Sequence, residues 1–431
     1  MTRAPAPPPE VRRARLAVAV TFLVHAAVFA TWAPRIPSIK QALDLDNGAL
    51  GIALGGLAVG LLAGTRLTGR MERAGRTGLA MRILVPVQAV ALVGPAFATD
   101  LVTLTAALAV LGLIGGMLDV AMNAHAVAVE RLYGRPIMSG FHGLWSLGSM
   151  VGSAIAALVA REGVDVRVHF IVAGIVCAVA SAPFLTRLLR PDQEAAVTGH
   201  HVEVPGGRRP PVRVVVVVMM AAMGFGAFLG EGAIADWSAV YLNESLGASV
   251  GLAALGLSVF SGAMTASRLV ADRVGAKYGP VVVARAGAAL GALGYVIFLL
   301  APGPLVALVG FAVAGFGIGP AVPVVFSAAG NTGTKNRVSV LGPVVSAGYL
   351  GAVLGPVAIG AVAHRTGLAW ALIIPLGFVV LIFVAAGLLR GAAGGDETDG
   401  EDGGDGRGEG AGTRTDGETA ARAHGPATID G

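Results

Sequence analysis

A carboxylate and an amide one helical turn apart, Asp119 and Asn123, stand inside a run of Ala, Val, Leu and Met from 104 to 128. A charge in such a run costs about 2.5–3.5 kcal/mol on membrane-insertion scales, so it needs a use or a partner. A carboxylate exposed in turn to two aqueous phases binds a proton on one side and releases it on the other, which makes Asp119 a candidate for proton coupling. The other reading of Asp119 is a structural acid paired within the fold. Asn123 donates and accepts hydrogen bonds, so it suits either a polar solute or a link between helices.

A second set lies in the run 213–242, where Glu231 is followed by Asp236 and Trp237. Glu231 falls toward the outer half of that segment and is the second coupling candidate; Asp236 and Trp237 approach its end as binding or gating residues. On a continuous helix Glu231 and Asp236 point about 140° apart, and Gly224, Gly226, Gly230 and Gly232 are expected to break the helix so that both reach one cavity. A third set, His142, Trp145, Ser146 and Ser149, recurs at helical spacing in 137–160. A tryptophan beside a polar stripe suits stacking on a sugar-like ring, or simple packing between helices. His125 points about 120° away from Asp119 and reads as a helix contact; His25 is open to either reading. No histidine pair has zinc-ligand spacing, and no serine triad, phosphate loop or nucleotide signature occurs, so no metal, cofactor or enzymatic chemistry is expected.

The elements that carry these residues follow from composition. The 431 residues are 55% hydrophobic and only 13% charged, with 64 glycines and a mean hydropathy of +0.75, far from soluble globular usage. Segments near the roughly twenty residues needed to cross a bilayer recur at 16–36, 48–66, 79–98, 104–128, 137–160, 168–189, 213–242, 250–270, 281–301, 304–328, 338–363 and 368–389. This predicts an all-α membrane protein with twelve transmembrane helices, whose partner is the lipid bilayer. In the fourth helix Gly112, Gly115, Gly116, Asp119, Asn123, Ala126 and Glu130 form one stripe, which should face other helices or a water-filled cavity. Cys177 has no partner and reads as a small core residue.

The chain repeats at an offset of about 200 residues. Trp32 recurs as Trp237, Arg66-Leu67 as Arg268-Leu269, and Gly148 with Gly152 as Gly351 with Gly355. Each Arg-Leu pair is expected to end its helix and start a basic loop. The repeat implies two pseudo-symmetric six-helix halves with a path between them, organised as a leader 1–15, a first half 16–190, a linker 191–212, a second half 213–390 and a tail 391–431. Arginines cluster before the first segment and in alternate connections, which predicts both termini and the linker on the cytoplasmic side of a cell membrane. The tail is rich in Gly, Asp and Glu and is expected to be disordered. The formal net charge of +5 reflects the basic loops; no nucleic-acid motif accompanies it.

These residues resemble the major facilitator superfamily over nearly the whole membrane portion. Glu72-Arg73-Ala74-Gly75-Arg76 is similar to its acidic-Arg-x-Gly-Arg loop, and Asp272-Arg273 to the second copy, with Thr68 where the family's glycine stands. The resemblance implies that Glu72, Arg73, Arg76, Asp272 and Arg273 gate the cytoplasmic ends through charge pairs. MLDVAMNAHAVAV resembles the fourth-helix signature of the fucose–proton symporter group, and Glu231 with Asp236-Trp237 resembles that group's acid followed by an aromatic. TWAPRIPSIKQAL resembles the bacterial branch that includes the rhizopine-associated membrane protein; Ala33-Pro34-Arg35-Ile36-Pro37 replaces the symporters' Asn- and Asp-containing stretch. The resemblance implies a monomeric secondary transporter of a small polar solute such as a sugar, polyol or related metabolite, coupled to protons. A drug or metabolite exporter of the same fold and a non-transporting sensor are the alternatives. Exporters carry Gly-x-x-x-Gly-Pro in the fifth helix, where this chain has Gly148-Ser-Met-Val-Gly152-Ser153; the Gly-Pro form occurs at Gly355-Pro356 instead.

Overall fold

A computed structural model describes residues 7–73, 76–134, 137–198, 214–331 and 340–392. Twelve helical spans are long and apolar enough to cross a membrane: α1 (Pro9–Ala42), α2 (Asn47–Thr68), α3 (Thr77–Phe97), α4 (Leu101–Tyr133), α5 (Gly140–Arg161), α6 (Val166–Leu185), α7 (Val214–Ser245), α8 (Val250–Gly275), α9 (Pro280–Leu299), α10 (Pro304–Ala329), α11 (Gly342–Thr366) and α12 (Leu368–Leu389). Local signals set their ends. Asp100 accepts from the Thr103 amide at 2.8 Å while Thr103 Oγ1 accepts from the Asp100 amide at 3.1 Å, a capping box that starts α4. Gly134 ends α4 in the left-handed region, φ 71°, where a side chain would be strained.

Three boundaries differ from the sequence expectation. The first helix begins at Pro9, inside the stretch read as a leader, because Pro is favoured at the first helical position. The α2 helix runs on to Arg73 and the α8 helix to Tyr278, so neither Arg66-Leu67 nor Arg268-Leu269 ends a helix. The start of the linker forms a further helix, Pro191–Thr198; residues 199–213 and the tail from 393 lie outside the described residues.

Close backbone approach explains much of the glycine content. A Cβ at Gly60 or Gly64 of α2 would fall 2.0 or 2.1 Å from the carbonyl oxygens of Ala109 or Leu113 in α4, and one at Gly112 or Gly116 would meet Leu57 or Leu61 just as closely. The two helices therefore interlock through small residues, as membrane helices without a hydrophobic drive between them must. The α4 stripe is thus mostly a helix-facing surface: Gly115 packs on the Phe29 ring of α1, and Glu130 accepts from the Ile137 and Met138 amides at 2.7 and 2.8 Å, tying down the start of the α5 helix.

Hydrogen bonds and ion pairs between the first six spans and the last six gather at the end carrying the α1–α2 and α7–α8 connections. Lys40 pairs with Glu244, Gln41 Nε2 donates to Asn243 Oδ1 at 3.0 Å, and His364 Nδ1 lies 3.2 Å from Asp46. Main chain also meets main chain there, since a Cβ on Gly51 would lie 2.9 Å from Gly360 Cα. The contacts continue inward along α5 and α8 as Ser149 Oγ to Ser261 Oγ at 3.1 Å and Ser146 to Arg268. Beyond that level His142, Arg273 and Lys277 are exposed.

Candidate functional site

Where α1, α2, α5, α7 and α8 converge they leave a cavity of about 160 Å3. Its wall is mostly Ala, Leu, Met and aromatic, with Ser146, Ser149, Ser261, Glu231 and Asp236 as the polar groups and Trp32 and Trp145 as the indoles. A small, largely apolar hollow with a few convergent polar groups is the usual form of a small-molecule site.

Arg268 of α8 organises one side of it. Its Nε donates to Gly319 O at 3.1 Å, its Nη1 to Ser146 Oγ at 3.0 Å, and its Nη2 lies 3.5 Å from Glu231 Oε2. The guanidinium fork thus holds α10 at its Gly319–Pro320 break, α5 and α7 at once, which a single-point ammonium could not do. Both members of the Arg268–Glu231 pair are less than a quarter exposed, at 22% and 24%, and Ser146 Oγ in turn donates to His142 O at 3.2 Å. Arg268 was read from the sequence as the start of a loop, because eighteen residues past Val250 is where a span of about twenty residues ends; only its partners on α5, α7 and α10 mark it.

Of the residues expected to bind or couple, the cavity gathers Trp145, Ser146, Glu231 and Asp236. The α7 helix is unbroken from Val214 to Val240, so the expected break at its glycines is corrected: the cavity wraps round a face that carries Glu231, Ala235 and Asp236 together. Asp236 has no hydrogen-bond or ion-pair partner among the described residues. Trp237, one residue on and about 100° round the helix, turns into the core with no exposure and is not a wall residue. Its repeat mate Trp32 lines the cavity instead.

Asp119 and Asn123 also lie outside this cavity wall. The amide bonds back to its own helix, Nδ2 reaching Asp119 O at 2.8 Å and Oδ1 at 3.2 Å, and the Tyr349 hydroxyl of α11 lies within electrostatic reach of Asp119. His142 is exposed one turn from Ser146, edge-on to the Phe22 ring at 5.4 Å. Of the gating residues, Arg76 and Arg273 are exposed, and Arg273 donates to Leu269 O of its own helix at 2.9 Å; the side chains of Glu72, Arg73 and Asp272 lie outside the described residues. His25 joins α1 to α3 through Gln88 at 3.1 Å.

A separate polar cluster holds the helix Pro191–Thr198 against the first half. Glu194, 3% exposed, accepts from the Thr77 amide at 3.0 Å and the Gly78 amide at 3.3 Å at the start of α3, and from the Thr77 hydroxyl. His125 bridges Thr77 Oγ1 at 3.0 Å and the Leu189 amide at 3.1 Å. Burial alone would raise the Glu194 carboxyl, but the His125 ring and the Thr77 donors outweigh it and hold it below the ordinary 4.5.

Known proteins resemble this chain in sequence and in fold. The Major Facilitator Superfamily profile matches residues 18–342 and 220–415. An uncharacterised transporter of Sinorhizobium fredii is 31% identical over 374 residues, 86% of this chain and 97% of its own length. The membrane protein MosC of Rhizobium meliloti is 28% identical over 374 residues, 86% of this chain and 88% of its own. Among solved structures, the nucleoside transporter NupG superposes with a TM-score of 0.66 at 14% identity, covering 89% of this chain and 99% of its own. The D-xylose–proton symporter gives 0.64 at 15% identity, with 88% and 97% covered. At those identities the structures speak for the fold alone.

Proposed function

The chain belongs to the major facilitator superfamily of membrane transporters, and from that premise we propose that it is a secondary active transporter moving a small polar solute, of the sugar, polyol or related metabolite class, together with protons. The observation that carries this reading is the cavity between the halves, sealed at one end by Lys40–Glu244 and the Gly51–Gly360 approach and furnished with Glu231, Ser146 and Asp236, the first two held by Arg268 from behind the wall. With the arginine-rich loops on the cytoplasmic side, the sealed end faces outward and the conformation opens inward. Rocking of the halves would part the sealed end and close the other, exposing the cavity alternately.

In this reading Trp145 and the serines meet the solute. Glu231 carries a coupling proton, because protonating it would weaken its pair with Arg268 and so loosen the α5–α7–α8 junction that the halves share. Asp119 is the second coupling candidate, on the face of α4 toward Tyr349. The wall is complete within one chain, which suits a monomer. The test is counterflow in proteoliposomes at equal pH, then accumulation under an imposed proton gradient. Solute exchange that the gradient drives uphill is expected; exchange indifferent to the gradient would leave a uniporter, and no exchange with any polyol or sugar-sized solute would overturn the proposal.

A further inference from the structure

The charges in the cavity do not balance. Of the wall residues only Glu231 and Asp236 are ionisable as acids, and none is a cation. Arg268 compensates Glu231, and three of its five N–H donors are committed to Gly319, Ser146 and Glu231. Arg35 of α1 is turned the other way, its Nη2 donating to Val164 O, with Asp165 beside it. Asp236 is left without a partner among the described residues, so in its ionised form it gives the site one negative charge in excess. A lone carboxylate in a wall of Ala, Leu and aromatic side chains is costly unless it takes up a proton or something of opposite charge occupies the hollow.

The rest of the wall suits such an occupant. Phe29, Trp32, Trp145 and Phe260 surround the same space, and aromatic faces attract cations through their quadrupole, Trp most strongly. Ser146, Ser149 and Ser261 add hydroxyls to the wall, the last two bonded to each other at 3.1 Å. Resting on the transporter reading above, we propose that the cavity selects a solute bearing an ammonium group together with hydroxyls, with Asp236 as its counter-ion and the aromatic rings as its cage. An anionic solute would meet the Asp236 carboxylate in a wall that contains no cation. A neutral polyol would leave Asp236 unpaired.

Quenching of tryptophan fluorescence in the purified full-length protein, with Trp32 and Trp145 in the wall as reporters, tests this with glucosamine, choline, glucose and glucuronate as probes. At least one of the two amines is expected to bind about tenfold more tightly than glucose, with glucuronate weakest. In Asp236→Asn, which keeps the side chain's shape, that preference should shrink to within about twofold. Glucose binding as well as both amines, glucuronate binding best, an amine preference that survives Asp236→Asn, or no binding by either amine would each overturn the proposal. Counterflow separates it from the broader reading: exchange of a neutral solute without amine preference sinks the cation site and leaves the transporter, whereas amine binding without exchange of any solute does the reverse.

Discussion

Two buried acids in the membrane portion are satisfied in opposite ways. Asp119 and Asn123 are closed within one turn of α4, the amide bonding to both the main chain and the carboxylate of the same residue. Glu231 is satisfied by Arg268, which simultaneously holds α5 through Ser146 and α10 through Gly319. In the second arrangement only the Arg268–Ser146 bond runs between the halves, since Glu231, Arg268 and Gly319 all belong to the second. Protonating Glu231 would reach the first half through Arg268 and Ser146, whereas Asp119 meets the second half at the Tyr349 hydroxyl. The repeat shows the same contrast, since Arg66 is exposed at the place in the first half that Arg268 holds in the second.

The strongest test of this contrast is Arg268→Ala against Arg66→Ala. Arg268→Ala leaves Glu231 unpaired and frees α5 and α10 from α7, so initial transport rates in proteoliposomes should fall at least roughly 100-fold, a barrier change of about 2.7 kcal/mol, while Arg66→Ala stays near wild type. Equal losses in both variants would erase the distinction. Next in size is Gly51→Leu at the sealed end. The added side chain has no space against Gly360 and Pro356, so labelling of a cysteine placed at Ala33, in a Cys177→Ala background, should become fast from the outside; unchanged protection would show that the seal lies elsewhere.

Asp119→Asn and Glu231→Gln, compared side by side, sharpen the two kinds of acid. Both variants should still exchange solute and fail to accumulate it under a proton gradient if each acid couples. Wild-type accumulation in Asp119→Asn alone would assign coupling to Glu231, whose partner Arg268 reaches the first half through Ser146, and would reduce Asp119 to a structural role. Coupled carboxylates can share a titration, so pH profiles should be assigned to the pair unless one variant is silent.

A smaller, purely structural effect is expected at Glu194, an acid that accepts from the Thr77 and Gly78 amides of the first half and lies beside His125 of α4. Its carboxyl lies below the ordinary 4.5, so its stabilising contribution is fully present above that value and is lost as pH falls through the depressed one. The melting temperature of detergent-solubilised protein should therefore drop on acidification, and Glu194→Gln should flatten that drop while leaving proton-driven accumulation intact. A variant that abolished accumulation would contradict the division drawn here. The smallest change belongs to Asp46→Asn, since Asp46 and His364 are more than half exposed, at 56% and 55%; stability within about 0.5 kcal/mol of wild type is expected.

Hydropathy made the twelve spans legible, because bilayer thickness sets a minimum helix length of about twenty residues, and the internal repeat made the division into halves legible. Glu231, Asp236, Trp145 and Ser146 were legible as polar residues in apolar runs. Arg268 was not, since a basic residue near a helix end reads equally as a loop anchor, and only its partners on three other helices show that it points inward. Trp237 was misplaced for a different reason. Repeat symmetry carries a residue type from one half to the other but not its rotation about the helix, and the second copy turned into the core while Trp32 met the cavity. The Glu194 anchor escaped notice because its partner Thr77 stands 117 residues earlier in the chain.

The approach of Gly51 to Gly360 bears on leakage. Where two main chains abut, no rotamer can swing aside to admit water or an ion, and no side-chain freedom is surrendered on each closure. Such a seal behaves as a mechanical stop: it is either seated or parted by movement of whole helices. The slip of protons past an unloaded carrier would then be timed by the rocking of the halves, not by local fluctuation at the gate.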